Sequence, residues 1–261
     1  MKQLEKNLSA SFNKQAKDYD EITSGISHYI IETVDKENIE FSLNNQYFNR
    51  ILDAGGGTGK WIPFLRKYSD QIILFDISND SIEIAQKKYA KEYPELGYVC
   101  GNLENTDFED EYFDFIFAKG GALSYTPDPI KFLKEQYRIL RQNGLLWLEF
   151  YNNVGWAIEC NYLEWKKQFA SVEKDLLFKM PDWDYPARMF NIDYLKDALK
   201  SIRFKIINDF GTGILLNSIP RNDRSKIDLK EADKLIRIEV QLSRKQECKA
   251  GGTIFHCLLK K

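Results

Sequence analysis

Histidine occurs only twice in 261 residues, and the four cysteines, Cys100, Cys160, Cys248 and Cys257, form no C-x-x-C pair. A zinc centre has too few donors at any usable spacing, so no bound metal is expected. No stretch approaches the ~18 consecutive apolar residues of a membrane span, so no membrane insertion is expected either. Charge of one sign is also lacking: 37 Lys and Arg face 39 Asp and Glu, a formal net charge of −2. That balance gives no general pull towards polyanions, and nucleic acid is not an expected partner. Pairs such as Lys87-Lys88 and Lys260-Lys261 read as solvated faces. Scattered cysteines and no signal-peptide pattern point to reduced thiols in the cytoplasm. A hydrophobic share of 43% supports a sizeable core, and the length suits one α/β domain with an elaboration.

What the chain does have is a glycine-packed turn. Residues 51–59 read Ile-Leu-Asp-Ala-Gly-Gly-Gly-Thr-Gly, a short apolar run ending at Asp53 and Ala54 and then a segment almost free of side chains. A second apolar run, 72–75, closes on Asp76, nineteen residues beyond Gly57. Strand, tight turn, helix and a second strand ending in a carboxylate make the half-fold that binds a nucleoside, because backbone N–H groups come close to the ligand and the acid accepts from ribose hydroxyls. Spacing separates the candidate ligands. A phosphate loop of the form G-x-x-x-x-G-K-[ST] fails twice, with Ala54 in place of its first glycine and Trp61 in place of its hydroxyl residue. A dinucleotide fingerprint needs a small residue where Lys60 stands, and it places Asp53 beside a pyrophosphate that the acid would repel. S-adenosylmethionine reverses the sign, since its ammonium and sulfonium are attracted to a carboxylate.

On these residues the chain resembles the class I S-adenosylmethionine-dependent methyltransferases, and most of all their small-molecule branch of the ubiquinone/menaquinone-biosynthesis type. The likeness rests on Leu52-Asp53-Ala54-Gly55-Gly56-Gly57-Thr58-Gly59, then Asp76-Ile77, then Gly101-Asn102-Leu103-Glu104-Asn105, then 113–118 with Leu123-Ser124-Tyr125, and finally Arg138 to Gly144. Five motifs in order at the family's intervals are a specific signal. They cover about positions 10–150 closely and the last seventy residues more loosely. One departure is Asn102, where the family usually has Asp; an amide oxygen still accepts from an adenine amino group.

The resemblance and the residue pattern together imply a Rossmann-like α/β fold: a seven-stranded, mostly parallel sheet with helices on both faces and an antiparallel last strand. Strands are expected near 51–54, 71–76, 97–100, 113–118, 144–151, 204–210 and 253–259. Most are continuous apolar runs, as in a sheet covered on both faces. Residues 1–45 read as an N-terminal helical lid, in which Phe12, Ala16, Tyr19 and Asp20 resemble the family's leading helix, with a second helix over 25–37. Residues 50–151 form the cofactor-binding core, with Asn143-Gly144 ending its last helix. An aromatic, largely helical cap is expected over 152–190, and 191–261 completes the sheet, with Asn191 capping a helix.

Methyl transfer from a sulfonium is a direct displacement that needs alignment and a dry site more than an acid or base. The resemblance assigns the cofactor to the Gly55–Gly57 backbone with Asp53, Ala54 and Thr58, to a helix opening at Thr58-Gly59, to Asp76 for ribose, Ile77 for adenine, Asn102 and the Leu103 N–H for the adenine edge, the Lys119 carbonyl for the methionyl amine, and Tyr19 for the carboxylate. If the acceptor must lose a proton, Tyr125 and His28 are the catalytic candidates. Trp61 is placed to cover the sulfonium or to pack its helix. Glu149 stands alone in an apolar strand, and His256 reads as structural. The acceptor expected from the cap is small and fairly apolar or aromatic, methylated at O, N or C. A cofactor-binding sensor without chemistry and an aminopropyltransferase are the other readings.

Overall fold

The computed structural model describes residues 2–159, 176–178 and 185–261. Within them, strands β1 (Ile51–Ala54), β2 (Ile72–Asp76), β3 (Gly97–Cys100), β4 (Phe113–Ala118) and β5 (Leu140–Asn152) run parallel in the order β3-β2-β1-β4-β5. Strand β9 (Ile254–Lys260) pairs antiparallel with β5, and β8 (Lys205–Thr212) pairs antiparallel with β9. All seven expected strands are present. Two short ones are added, β6 (Leu176–Phe178) and β7 (Ala187–Phe190), giving nine. Tyr151 pairs with both Ile254 of β9 and Met189 of β7, so β7 lies along β5 beyond the end of β4.

In the largely helical cap expected over 152–190, the described residues include both helix and strand. Asn153–Glu159 is helical (α8), but 176–178 and 187–190 form an antiparallel pair. Arg188, Met189 and Phe190 satisfy their backbones on the exposed edges left by β5 and β6, where a helix would leave those edges open. The expected cap aromatics Tyr162, Trp165, Phe169 and Trp183 lie outside the described residues.

Alternation along the strands sorts side chains to two faces. Ile116 and Ala118 of β4 with Leu146, Leu148 and Phe150 of β5 meet the helices Pro129–Ile139 (α7) and Ile192–Ile202 (α9). Phe115, Phe117 and Trp147 point the other way, onto Ile26–Leu43 (α3), Ile62–Leu65 (α4) and Asn79–Tyr89 (α5). Local chemistry sets the helix ends. Ser78 caps α5 by accepting from Ser81 N at 3.1 Å, Asp128 caps α7 ahead of Pro129, and Asn191 caps α9 as expected. Helix α7 ends at Ile139, before the expected Asn143-Gly144 stop. Residues 140–142 are already paired as strand, and Asn143 supplies only the left-handed turn (φ 63°). The final helix, Leu229–Ser243 (α11), opens on a capping box of Asp228 and Glu231 and packs Ala232 and Ile236 on Ile30 and Val34 of α3.

Gly211 of β8 is where the added half of the sheet closes on itself: a Cβ there would stand 1.8 Å from the carbonyl oxygen of Lys249. Backbone is on both sides, so neither can yield cheaply. Gly211→Ala is expected to lower unfolding free energy by about 3 kcal/mol through overpacking. Gly251→Ala, whose nearest atom would be Ile214 Cγ2 at 3.9 Å, should stay within ~0.5 kcal/mol of wild type. Urea denaturation of the two variants makes the comparison.

Candidate active site

The parallel order reverses between β1 and β4, and the carboxyl ends of these strands open there into a cleft of about 810 Å³, mouth included. Its floor is the turn after β1. Gly55 (φ 79°) and Gly57 (φ 54°) hold left-handed conformations, and a Cβ at Gly57 would meet nothing within 4 Å, so the turn faces the cleft as bare backbone. Asp76, at the end of β2, lines the cleft and ties the turn down: its two oxygens accept from Gly57 N at 2.9 Å and Ser78 N at 2.8 Å. Burial raises the Asp76 carboxyl, against the pull of these hydrogen bonds. Beneath the turn lies Asp53, 2% exposed, with Oδ2 buried and unpartnered. Burial, and then the charge of Asp76, push it up to about 8.

A lid closes the cleft. Helix α1 (Lys2–Gln15) lays Leu8 and Phe12 against Ile77 and Tyr125, with Phe12 edge-on to Tyr125 at 5.2 Å. Ser9 donates to the Ile77 carbonyl at 3.0 Å, and Asn13 accepts from the Ser78 hydroxyl at 2.7 Å. At the far end of the cleft the single turn Tyr19–Ile22 (α2) brings Asp20 onto Thr58, whose hydroxyl donates at 2.6 Å, and onto the ammonium of Lys88. Tyr19 reaches inward, its hydroxyl 3.9 Å from where a Cβ on Gly120 would stand. Burial raises this phenol first of all, so it stays protonated.

Tyr19 and Gly120 also border a second chamber of about 1360 Å³, mouth included. His28, Glu32, Lys60, Trp61, Lys119, Glu149, Tyr151 and Trp156 are among its walls, with Arg221 and Arg224 beyond. Behind it is a buried charge cluster. The Lys119 ammonium, 7% exposed, is paired with Asp35 of α3 at 2.8 Å and with Glu149 of β5. His256 Nε2 of β9 lies 3.1 Å from Asp35, and the Thr212 hydroxyl of β8 donates to Asp35 at 2.9 Å. Burial opposes the charge on Asp35, but Lys119 and His256 outweigh it and hold this carboxyl well below the usual range. Lys119 itself is raised, its two carboxylates overcoming the cost of burial. His28 is lowered by burial and then by Lys60, so it is neutral at pH 7.

A side-chain-free turn, a carboxylate on the second strand and an orphaned acid beneath the turn suit a nucleoside bearing positive charge and repel a diphosphate. Residues 52–148 match the family model described as methyltransferase domain. Residues 52–148 thus carry a methyltransferase domain. The chain is similar to 2-methyl-6-phytyl-1,4-hydroquinone methyltransferase 2, a chloroplastic protein of Oryza sativa subsp. japonica: 30% identity over 149 residues, 51% of this chain and 42% of that protein. It is 37% identical over 107 residues to the ubiquinone/menaquinone biosynthesis C-methyltransferase UbiE of Vibrio campbellii, covering 39% of this chain and 41% of that one. The chain thus spans less than half the length of these curated relatives. Among solved structures, a SAM-dependent methyltransferase of Thermotoga maritima, described as a possible histamine N-methyltransferase, superposes with a TM-score of 0.63 at 20% identity, covering 97% of this chain and 99% of that one.

Tyr19, from outside the matched segment, lines the same cleft as Gly55, Gly57, Asp76, Ile77, Asn102, Leu103 and Tyr125. Asp53 and Ala54 lie under the turn, and the Thr58 side chain turns away to Asp20. The helix expected from Thr58-Gly59 begins only at Ile62 and lasts one turn, because 57–61 are spent on tight turns. Asn102 Oδ1 accepts from Glu104 N at 2.8 Å, while its amide nitrogen donates to Glu5 of the lid. Lys119 had been expected to contribute only its carbonyl; its side chain is the centre of the charge cluster. Trp61 covers that ammonium, 4.9 Å from ring centroid to Nζ, and packs on Phe64 and Phe117. Tyr125, pushed up to about 12 chiefly by burial, is a poor proton acceptor at neutral pH. Glu149 is accounted for by period-two alternation, which puts it on the Trp147 face, opposite α3. The sequence reading missed Asp35 and the Asp20–Thr58–Lys88 fastening. The spacing of Asp20 from Tyr19 was the available sign of the latter; nothing local marked Asp35.

Stability from this cluster is complete between the ordinary carboxylate value of 3.8 and the ordinary lysine value of 10.5, falling away below the first and above the second. Lys119→Met leaves two buried carboxylates facing one another and is expected to cost about 3–5 kcal/mol at pH 7. Protonating them relieves the strain, so the deficit should shrink from pH 8 to pH 5. Urea midpoints at the two pH values measure it; a deficit independent of pH would show that the loss is one of packing.

Proposed function

We propose that the chain transfers the methyl group of S-adenosylmethionine to a small organic acceptor by in-line displacement in a desolvated site. One observation carries this reading: a lidded cleft with the electrostatics for a cationic nucleoside meets a separate, polar chamber across Tyr19 and Gly120. When bound, the cofactor supplies a carbon already activated by a sulfonium leaving group. The work left to the protein is alignment and exclusion of water, which together are worth roughly 7–11 kcal/mol in well-oriented systems. In this reading Gly55 and Gly57 present backbone to the ligand, and Asp76 uses its remaining lone pairs on the ribose. Ile77 packs on adenine, Asn102 with the Leu103 N–H meets the adenine edge, and Tyr19 and the Lys119 carbonyl take the methionyl end. His28, neutral and in the second chamber, is the group able to take the acceptor's proton. The curated relatives, named for hydroquinone and quinone methylation, support a small cyclic acceptor class. An aminopropyltransferase would want free carboxylates for a polyamine, whereas Glu32, Glu149 and Glu159 in the second chamber are each paired with a lysine or arginine.

Two measurements test the proposal. Incubation with methyl-labelled cofactor and a panel of phenols, amines and carbon acids should move label into product; tight binding of S-adenosylhomocysteine with no transfer to any acceptor would make the chain a sensor. The second concerns Asp53. With its carboxyl near 8, the empty site holds it mostly protonated at pH 7, and the empty protein loses stability as pH rises from 3.8 towards that value. An ammonium placed beside it favours the ionised form. Binding of S-adenosylhomocysteine at pH 7 is therefore expected to release most of a proton, seen as a dependence of the calorimetric enthalpy on the buffer's ionisation enthalpy. Asp53→Asn should abolish the release. Wild-type binding without it would remove Asp53 from the ammonium.

A further inference from the structure

Among the described residues, the rim of the second chamber holds two guanidiniums for one carboxylate. Arg221 and Arg224 sit on the short helix Arg221–Arg224 (α10), and both turn to Glu159 at the end of α8. Arg221 Nε donates to Glu159 Oε1 at 3.0 Å, and Arg224 Nη1 lies 3.0 Å from the same oxygen as an ion pair. Two positive charges thus share one negative charge. The pair is held in place: Arg224 is 12% exposed and donates Nε to the Ile219 carbonyl at 2.9 Å, and Glu159 is 6% exposed. The Arg221 guanidinium lies 5.6 Å from the ring centroid of Trp156, a wall of the chamber. Among the described residues, the Nη groups of Arg221 and Nη2 of Arg224 make no hydrogen bond. The other cations of the chamber are spent, Lys60 on Glu32 and Lys119 on Asp35 and Glu149.

Guanidinium is planar, permanently charged and forked to match the oxygens of a carboxylate or phosphate, and two of them converging on a recess form a receptor for such a group. The geometry points to a methyl acceptor that carries an anionic group, carboxylate or phosphate, held by Arg221 and Arg224 at the rim while its nucleophilic atom lies deeper, beside Tyr19 and Gly120. This rests on the methyl-transfer reading and replaces the apolar acceptor expected from the aromatic cap. Trp156 and Tyr151, between rim and depth, leave room for an apolar or aromatic body joining the two ends.

The test separates this from failure of the methyl-transfer reading. A metabolite extract is passed over anion-exchange resin, and both the retained and the flow-through fractions are offered to the full-length protein with methyl-labelled cofactor. Label is expected in products of the retained fraction. Phosphatase treatment of that fraction distinguishes the two anions: lost transfer identifies a phosphate, preserved transfer a carboxylate. Arg221→Gln, at a half-exposed position, and the double variant with Arg224→Gln should each cut the initial rate at limiting acceptor, the double variant at least tenfold. S-adenosylhomocysteine affinity should remain within twofold, which also reports that the variants are folded. Label only in the flow-through fraction, or retained-fraction transfer unchanged in Arg221→Gln and the double variant, overturns the anion receptor. Tight S-adenosylhomocysteine binding with no label in either fraction overturns the methyl-transfer reading, and the acceptor assignment with it.

Discussion

A lysine ammonium buried at the switch point of the sheet is the constraint on which the rest of this structure turns. Lys119 follows the last residue of β4 and precedes two left-handed glycines, Gly120 and Gly121, that shape the passage between the cleft and the second chamber. Its partners come from far along the chain: Asp35 from α3, Glu149 from β5, and through Asp35 the His256 and Thr212 side chains of β9 and β8. An unpaired ion in that position costs several kcal/mol, so the cluster is tolerable only when all these elements are docked together. Folding of the C-terminal half of the sheet is thereby tied to the geometry of the cofactor site. A purely apolar core would hold the same layers together with less control over where the ends of β4 and β5 come to rest.

The same logic operates at the lid. Helix α1 and the turn α2 carry too little apolar surface to be held by burial alone: of α1, only Leu8 is fully buried. Their attachment comes from polar contacts to the motif they cover, Ser9 on the Ile77 carbonyl, Asn13 on Ser78, and Asp20 on Thr58 and Lys88. Each such contact is worth on the order of 1 kcal/mol net. A lid fastened this way opens at modest cost, and one fastening, Ser9 on the Ile77 carbonyl, bears directly on a residue that lines the cleft.

What was legible in the sequence follows from range. The five parallel strands, the glycine turn and the acid of β2 announce themselves because each is specified by neighbours a few residues away: apolar runs of fixed length, residues without side chains, a carboxylate at a strand end. Asn191, Ser78 and Asp128 cap their helices by the same local rules. The errors are of the opposite kind. Asp35 reads as one more acid on a helix until β8 and β9 are folded over it, and Glu149 looks anomalous until its partner arrives from 30 residues away. The helix after the turn starts late, at Ile62, because the chain spends Gly57 to Trp61 on tight turns that no hydrophobic period reveals. Strand β7 was hidden for a related reason: Ala187–Phe190 follows Pro186 in an aromatic stretch without strand alternation, and it reaches β5 only because β5 outruns β4. Tertiary context overrode a weak local signal there.

The cleft and the rim of the second chamber differ in charge, and that contrast bears on the chemistry. On the cleft side, Asp53 and Asp76 crowd two carboxyls beneath and beside the turn, each made easier to charge by a cation and harder without one. At the rim of the second chamber, two guanidiniums share a single carboxylate. On the proposed reading, a donor bearing positive charge and an acceptor bearing negative charge are drawn to opposite sides of Tyr19. Between them the walls are Tyr19, Tyr125 and Tyr151, phenols that burial keeps protonated and uncharged.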